Sequence, residues 1–510
     1  MRLRSGKTVA LLAALTVAAG APVAVVLQPS DEVSAKGTSG AKPAATAAVK
    51  PLPFDLPATA TLRKSSRKVF AHYFTPYPVS LDNKPAASDY YTRNYLNPAG
   101  EGGKHKAYGG LLRDRPRPRA PLAGDWQLKD METEVRTAKA AGLDGFTVDL
   151  LNLDPSSQHR KRVDLLIKAA QRVDPGFKIV LMPDMTATQI KSLSPAGLAT
   201  ALAKLAASPS VYKLSGNRLL VSPFKAENRA ASWFSSLIAA LRQKGYNTAL
   251  VPVFLNFSAH YKSYVPISHG FSNWGNRSPN QQGGIAGNVS KSHALKKIWM
   301  QPVAPQDERP NQRVYDEANN TENLRTTWQN AISAKADWIQ LTTWNDFSEG
   351  TQISPSTHNG SVYLDLTSYY LTRLKTGKWP AIVRDTLYLI HRTHRVSARP
   401  TAAGQTKFMS PRPGTSTPRD RVEVLSFLTA PAAVKASIGG QGQAYQAARG
   451  VQSRLFPLRF GTNSASVIRA GKTTTAVTSP FKVTQTPRVQ DLQYCAVSSR
   501  RAQTRTTTSP

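Results

Sequence analysis

The chain has 510 residues, 40% of them hydrophobic, and carries 66 Lys or Arg against 31 Asp or Glu for a formal net charge of +35. That length and apolar share exclude a disordered or fibrous chain and favour one large domain with an accessory one. A single cysteine, Cys495, excludes an intramolecular disulfide.

Residues 1–35 read as an export signal. Arg2, Arg4 and Lys7 form a basic start, a nearly charge-free run spans 8–27, and Val33-Ser34-Ala35 offers a small-x-small cleavage site. The expected product is secreted and extracellular, with no stable membrane insertion after cleavage. Residues 36–66, rich in Ala, Pro, Ser, Thr and Lys, lack apolar periodicity and read as a disordered linker.

From Val69 strands and helices alternate. Strands are expected over 69–74, 145–150, 178–184, 218–224, 248–256, 270–275, 297–303 and 337–344. A long Gly- and Arg-rich insertion, 77–124, follows the first of them. Helical spacing appears at 126–141, with Met131, Val135, Ala138 and Ala141 on one face, and again at 163–173, 195–206, 231–244, 323–335 and 364–375. Ser194-Pro195 supplies a cap and first-turn proline. Eight strands with intervening helices over 67–380 predict an α/β fold, a (β/α)8 TIM-type barrel. No Gly-x-Gly-x-x-Gly follows the first strand, which argues against a dinucleotide fold.

After Pro380 helices give way to short strands separated by turn residues, expected at 386–392, 422–428, 434–438, 455–460, 465–469 and 481–484. Residues 381–495 therefore read as an all-β sandwich-like C-terminal domain, and 496–510 as a disordered tail. Residues 381–510 hold 19 Lys or Arg against 4 Asp or Glu, a net +15. Such a surface suits anionic cell-wall or matrix polymers. Nucleic acid is not an expected partner, because no zinc-finger or RNP motif occurs.

A barrel of this kind places its chemistry at the C-terminal ends of its strands. The polar and aromatic residues expected there are His72 and Tyr73, Asp149, Asp184, Asn256, Trp274, and the run Trp344-Asn345-Asp346-Phe347-Ser348-Glu349. Glycosidic bonds are cleaved by paired carboxyl groups, and indoles stack on sugar faces. Asp346 and Glu349, three residues apart past the eighth strand, are the expected catalytic pair. His72, Tyr73, Asp149, Asp184, Asn256, Trp274, Trp344 and Asn345 are expected sugar contacts. There is no Gly-x-Ser-x-Gly elbow and no Walker loop. His391 and His394 lie on a strand with a spacing that separates them, so a structural role is favoured over a metal site. Asp307-Glu308 offers two carboxylates to a cation, but a solvated loop is the favoured reading. No metal or cofactor is expected.

Val69 to Tyr73, Asp144-Gly145-Phe146, Met182-Pro183-Asp184-Met185 and Thr343 to Glu349 together resemble glycoside hydrolase family 71, the α-1,3-glucanases or mutanases. Asp385 to Tyr388, Ser426-Phe427-Leu428 and Ile438-Gly439-Gly440 resemble its β-sandwich tail. The likeness runs over roughly 67–490. It implies an endo-acting, inverting hydrolase of α-1,3-glucan, with Asp346 and Glu349 as its carboxylates and sugar contacts from His72, Asp184 and Asp149. Asp149 stands where fungal members carry Asn. The segment Glu349-Gly350-Thr351-Gln352 also resembles glycoside hydrolase family 99, which makes an α-mannan endo-glycosidase the alternative enzyme. A non-catalytic polysaccharide-binding wall protein is the alternative outside enzymes. A monomer acting on a polysaccharide is expected.

Overall fold

The computed structural model describes residues 52–501. The export segment expected over 1–35 and the first part of the linker lie outside these residues. No helix among the described residues is long and apolar enough to cross a membrane.

The body is mixed α/β, built on one curled, mainly parallel sheet. Its path runs Lys213–Leu214, Arg218–Val221, Lys178–Pro183, Gly145–Leu150, Lys68–Tyr73, Trp338–Leu341, Ile298–Val303, Gly270–Asn273 and Val253–Phe254, and Asn247–Leu250 also pairs with Arg218–Val221. The chain from 247 to 254 changes partner midway: its first half pairs in parallel with Arg218–Val221, its second with Gly270–Asn273. Pro252, which has no N–H for a ladder, sits at the changeover. Gly145–Leu150, covered on both faces, is buried at every position, an apolar run interrupted only by Thr147 and Asp149. At Gly145 a β-carbon would come within 1.8 Å of the Lys178 carbonyl oxygen, so only glycine allows this strand pairing.

The helices follow from their apolar faces and caps. Trp126–Ala140 buries Leu128, Met131, Val135 and Ala138. Ser157 accepts from the His159 N–H at 3.2 Å to open Gln158–Val173, and Ser194 accepts from the Gly197 N–H at 3.1 Å to open Pro195–Ala206. Phe257–Tyr264 and Ile285–Ala294 are helices that the periodicity did not reveal. They are short and bury only two or three side chains each.

Two four-stranded antiparallel sheets follow, in the orders Gly450–Pro457, Arg421–Leu428, Thr386–His391, Cys495–Ser498, and Gln441–Ala447, Ala432–Ile438, Asn463–Arg469, Lys472–Thr478. Leu387, Leu389, Val422 and Val424 face Val434, Ile438 and Val467 between the sheets. Alternate residues of the first sheet, Tyr388, Ile390, Leu425 and Phe427, join the main core instead, where Phe427 meets Tyr369 of Val362–Thr376 at 5.1 Å. Of the expected strands, 481–484 is reduced to one bridge, Gly461 with Val483.

Both flanking readings need correction. The linker expected over 36–66 is structured where described: Thr59–Arg63 is helical, Phe54 and Leu62 are buried in the main core, and Phe54 bridges to Ile382. Three residues, Leu52-Pro53-Phe54, carry that anchor, too few to show a period. The tail expected over 496–510 begins too early. Cys495–Ser498 is a buried strand pairing with Thr386–His391.

Candidate active site

The turn after Trp338–Leu341 is fixed to its surroundings by main-chain and hydroxyl bonds. The Trp344 N–H donates to the His72 carbonyl at 2.7 Å, the Asp346 N–H to Thr343 Oγ1 at 2.7 Å, and the Ile353 N–H to the Thr343 carbonyl at 3.0 Å. Asn345 completes the attachment: Oδ1 accepts from the Phe74 N–H at 2.7 Å, and Nδ2 donates to the carbonyls of Phe74 and Tyr77 at 3.0 and 2.8 Å. The 77–124 insertion grips the same turn. Phe347 is buried with Tyr77, Tyr91 and Leu112 of the insertion. Asp114 accepts from Gln352 Nε2 at 2.7 Å, Thr357 Oγ1 at 2.6 Å and the His358 N–H at 3.0 Å.

This frame leaves two carboxyl groups in different settings. Asp346 Oδ1 accepts three bonds from its own turn, from the Ser348 N–H at 3.0 Å, Ser348 Oγ at 2.6 Å and the Glu349 N–H at 3.3 Å. Glu349 is held at one oxygen, with Oε1 2.7 Å from Arg309 Nη1, while Oε2 is buried without a hydrogen-bond partner. Burial raises both above the ordinary carboxyl range. For Glu349 burial outweighs the attraction of Arg309, and Asp346 and Asp307 add to the rise, which reaches about 7.

Around the pair lie Asp149, Asp184, His72 and Trp274. Asp149 is buried and pushed well above the usual range by burial and by Asp184, Asp346 and Glu349. Its Oδ1 is unpartnered and its Oδ2 is 3.9 Å from His72 Nε2. His72 is held neutral, lowered to about 3 by burial and Arg277, so this approach is not an ion pair. Asp184 accepts from the Thr186 N–H and Oγ1, both at 2.7 Å, and burial raises it despite those bonds. Trp274, half-buried, meets His72 edge-on at 4.9 Å and Phe224 at 4.7 Å.

Four expected sugar contacts lie elsewhere or are already engaged. Tyr73 and Trp344 point into the layer between sheet and helix, where the Tyr73 hydroxyl and the Trp344 indole N–H donate to Glu134 at 2.5 and 3.2 Å. Tyr73 follows His72 on one strand, so the two must face opposite ways. Asn256 is exposed and caps Phe257–Tyr264 by accepting from the Ala259 N–H at 3.2 Å. Asn345 spends its amide on the loop after the first strand. Asp307-Glu308, expected in a solvated loop, is 2% and 1% exposed.

Sequence reading missed Arg277, Arg309 and Glu134. Arg277 is buried with Nε and Nη2 unpartnered, its Nη1 donating to the carbonyls of Trp274 and Gly275 at 2.5 and 2.8 Å. Its signal was a lone arginine three residues past Trp274. Arg309 binds Asp307 through Nη2 at 2.6 Å as well as Glu349. Its only trace was an Asp-Glu-Arg run, which reads equally as solvent-facing.

A buried carboxyl pair flanked by further acids, a neutral imidazole and an indole can protonate a leaving oxygen, deprotonate a water and hold a sugar. The chain matches the model of glycosyl hydrolase family 71 over residues 122–508. A glucan endo-1,3-alpha-glucosidase of Schizosaccharomyces pombe is 24% identical over 384 residues, 70% of this chain and 87% of that protein. An ascus wall endo-1,3-alpha-glucanase of the same organism is 25% identical over 254 residues, 46% of this chain and 56% of that protein. A solved family 99 endo-alpha-mannosidase from Bacteroides thetaiotaomicron superposes with a TM-score of 0.48 at 16% identity, covering 61% of this chain and 98% of that one. The chain is a glycoside hydrolase and belongs to glycosyl hydrolase family 71.

Proposed function

We propose that the protein is a secreted, endo-acting hydrolase of α-1,3-glucan that works by single displacement with Glu349 as acid and Asp346 as base. The observation that carries this reading is the unequal holding of the two carboxyl groups. Arg309 secures Glu349 Oε1 and leaves Oε2, unpartnered, to carry the proton. A group raised to about 7 keeps that proton through the mildly acid range. Three donors on Asp346 Oδ1 favour its ionised form. Glu349 gives its proton to the glycosidic oxygen as the bond from that oxygen to the anomeric carbon breaks. Asp346 takes a proton from the water that attacks that carbon from the opposite face, and proton exchange with solvent resets both groups.

The substrate class is supported by the two Schizosaccharomyces pombe relatives, both described as endo-1,3-α-glucan hydrolases. Closure of the parallel sheet into a (β/α)8 barrel is supported by the two-sided pairing of 247–254. His72, Asp149, Asp184 and Trp274 are the proposed sugar contacts, and the basic C-terminal part is proposed to hold the enzyme on anionic wall polymers.

Reducing ends released from α-1,3-glucan, β-glucan and α-mannan test this. Release from α-1,3-glucan is expected, with losses of about 100-fold or more in D346N and E349Q. Activity should fall as pH rises through about 7, where Glu349 loses its proton. Near-wild-type rates in both variants would end the mechanism. Release from α-mannan alone would overturn the substrate, and binding without release would overturn hydrolysis of these polymers.

A further inference from the structure

We propose that Arg412, from the chain beyond the parallel sheet, is a positioning residue for the hydrolysis that sets, through Asp307 and Arg309, how firmly Glu349 is gripped. This rests on the reading of Glu349 as the acid.

Three short strands bring these residues together. Asp307–Arg309 pairs antiparallel with Val314–Asp316, which pairs in parallel with Ser410–Pro411. The register sets Asp307 directly opposite Asp316. Two carboxylates so placed repel unless a cation lies between them. Arg412 supplies it. Its main-chain N–H donates to the Tyr315 carbonyl at 2.8 Å, its Nε lies 3.1 Å from Asp316 Oδ2, and its Nη2 lies 3.3 Å from Asp307 Oδ1. Asp307 in turn takes Arg309 Nε on Oδ1 at 2.9 Å and Nη2 on Oδ2 at 2.6 Å. The nitrogen left over, Arg309 Nη1, reaches Glu349. The Glu308 N–H between them donates to the Glu349 carbonyl at 2.7 Å, which locks the two strips of backbone together.

Charge therefore alternates inward from the surface: Arg412, Asp307, Arg309, Glu349. The Arg412 side chain is 37% exposed and the Asp307 side chain 1%. In the dry part of such a chain each ion's partner decides how much attraction remains for the next. Without the Arg412 charge, Asp307 draws more on Arg309, and Glu349 holds its proton more tightly. Without the Asp307 charge, Arg309 is released to Glu349, which holds its proton less tightly. The groups facing Glu349 are Arg309 and Asp307 from the short strand, Arg277 from the loop after Gly270–Asn273, Asp346 from its own turn and Asp149 from Gly145–Leu150. Of these, Arg309 and Asp307 lie on the hydrogen-bonded path from Arg412, while Arg277 faces Asp307 and Asp316 from the side and is left unchanged by both substitutions.

The test is direct titration of the Glu349 carboxyl by NMR in full-length protein labelled with carboxyl-13C glutamate. Its resonance is the one missing from E349Q. R412Q should raise the midpoint and D307N should lower it, each by about half a pH unit, and R412K should restore the wild-type value. The alkaline limb of the pH–rate profile should move with the same signs. A merely structural role for Arg412 would lower activity without moving either midpoint. Unchanged midpoints, or shifts of the same sign in R412Q and D307N, would overturn the relay. If E349Q stays active, the acid assignment falls, while the opposed NMR shifts still decide the relay.

Discussion

Replacing Glu134 by Gln should make the protein less sensitive to alkali. Glu134 lies on Trp126–Ala140, 6% exposed, where it receives the Tyr73 hydroxyl and the Trp344 indole N–H. Burial raises its carboxyl to about 8, with Asp130 adding to the rise and the two hydrogen bonds opposing it. A carboxyl raised on folding binds its proton more tightly in the native state, so stability is full at acid pH and is lost as pH climbs from the unfolded value through about 8. At about 1.4 kcal/mol per pH unit the whole loss amounts to about 5 kcal/mol at most. Gln mimics the protonated acid: its oxygen accepts from Trp344, and its amide donates to the Tyr73 hydroxyl. Urea unfolding of wild type and E134Q between pH 5 and 9 measures the difference. The two should agree within about 1 kcal/mol at pH 5 and diverge in favour of E134Q above pH 7. Buried acids that do not face Glu134 contribute equally to both proteins and cancel. Parallel stability curves would refute the titration of Glu134 in this range.

Trp274 and Trp344 should respond in opposite ways. W274A should raise KM for soluble oligosaccharides roughly fivefold, the equivalent of about 1 kcal/mol of stacking, with little change in melting. W344F should leave KM alone and cost about 1–3 kcal/mol of stability, because the Glu134 carboxyl loses a buried donor. Equal KM effects would undo the assignment of their faces. F347A should cost about 3–5 kcal/mol in urea unfolding by opening a cavity between the insertion and the turn that carries Asp346 and Glu349, and should also lower kcat in the folded fraction. Unaltered kcat would separate the insertion from the site.

The alternation of strands and helices was legible because amphipathic helices such as Gln158–Val173 and apolar strands such as Gly145–Leu150 carry strong periods. The placement of Asp346 and Glu349 beyond Trp338–Leu341 was legible because strand ends are where such a sheet exposes polar groups. What the sequence hid was direction. In a sheet covered on both faces, each neighbour of a site residue is as apolar as the next, so Tyr73 looked as eligible as His72. Hidden too were partners far apart in the chain: Arg412 meets Asp307 across a hundred residues, and Glu134 meets Trp344 across two hundred, with no local pattern to announce either. Asn256 was misread because an asparagine at a strand end is equally fit to cap the next helix.

The strand Cys495–Ser498 has a consequence for how the chain matures. It pairs with Thr386–His391 on one side, and the Ala496 N–H donates to the carbonyl of His358, just beyond the turn that carries Asp346 and Glu349. Tyr494 beside it reaches Glu317 at 2.6 Å. A chain emerging in order from its N-terminus must hold more than a hundred residues of sheet and turn without their last covering strand, so the site cannot settle until that late segment arrives. Synthesis and completion of the loop over 344–358 are thereby separated in time. For a hydrolase, such a delay postpones activity until the strand Cys495–Ser498 has joined the sheet.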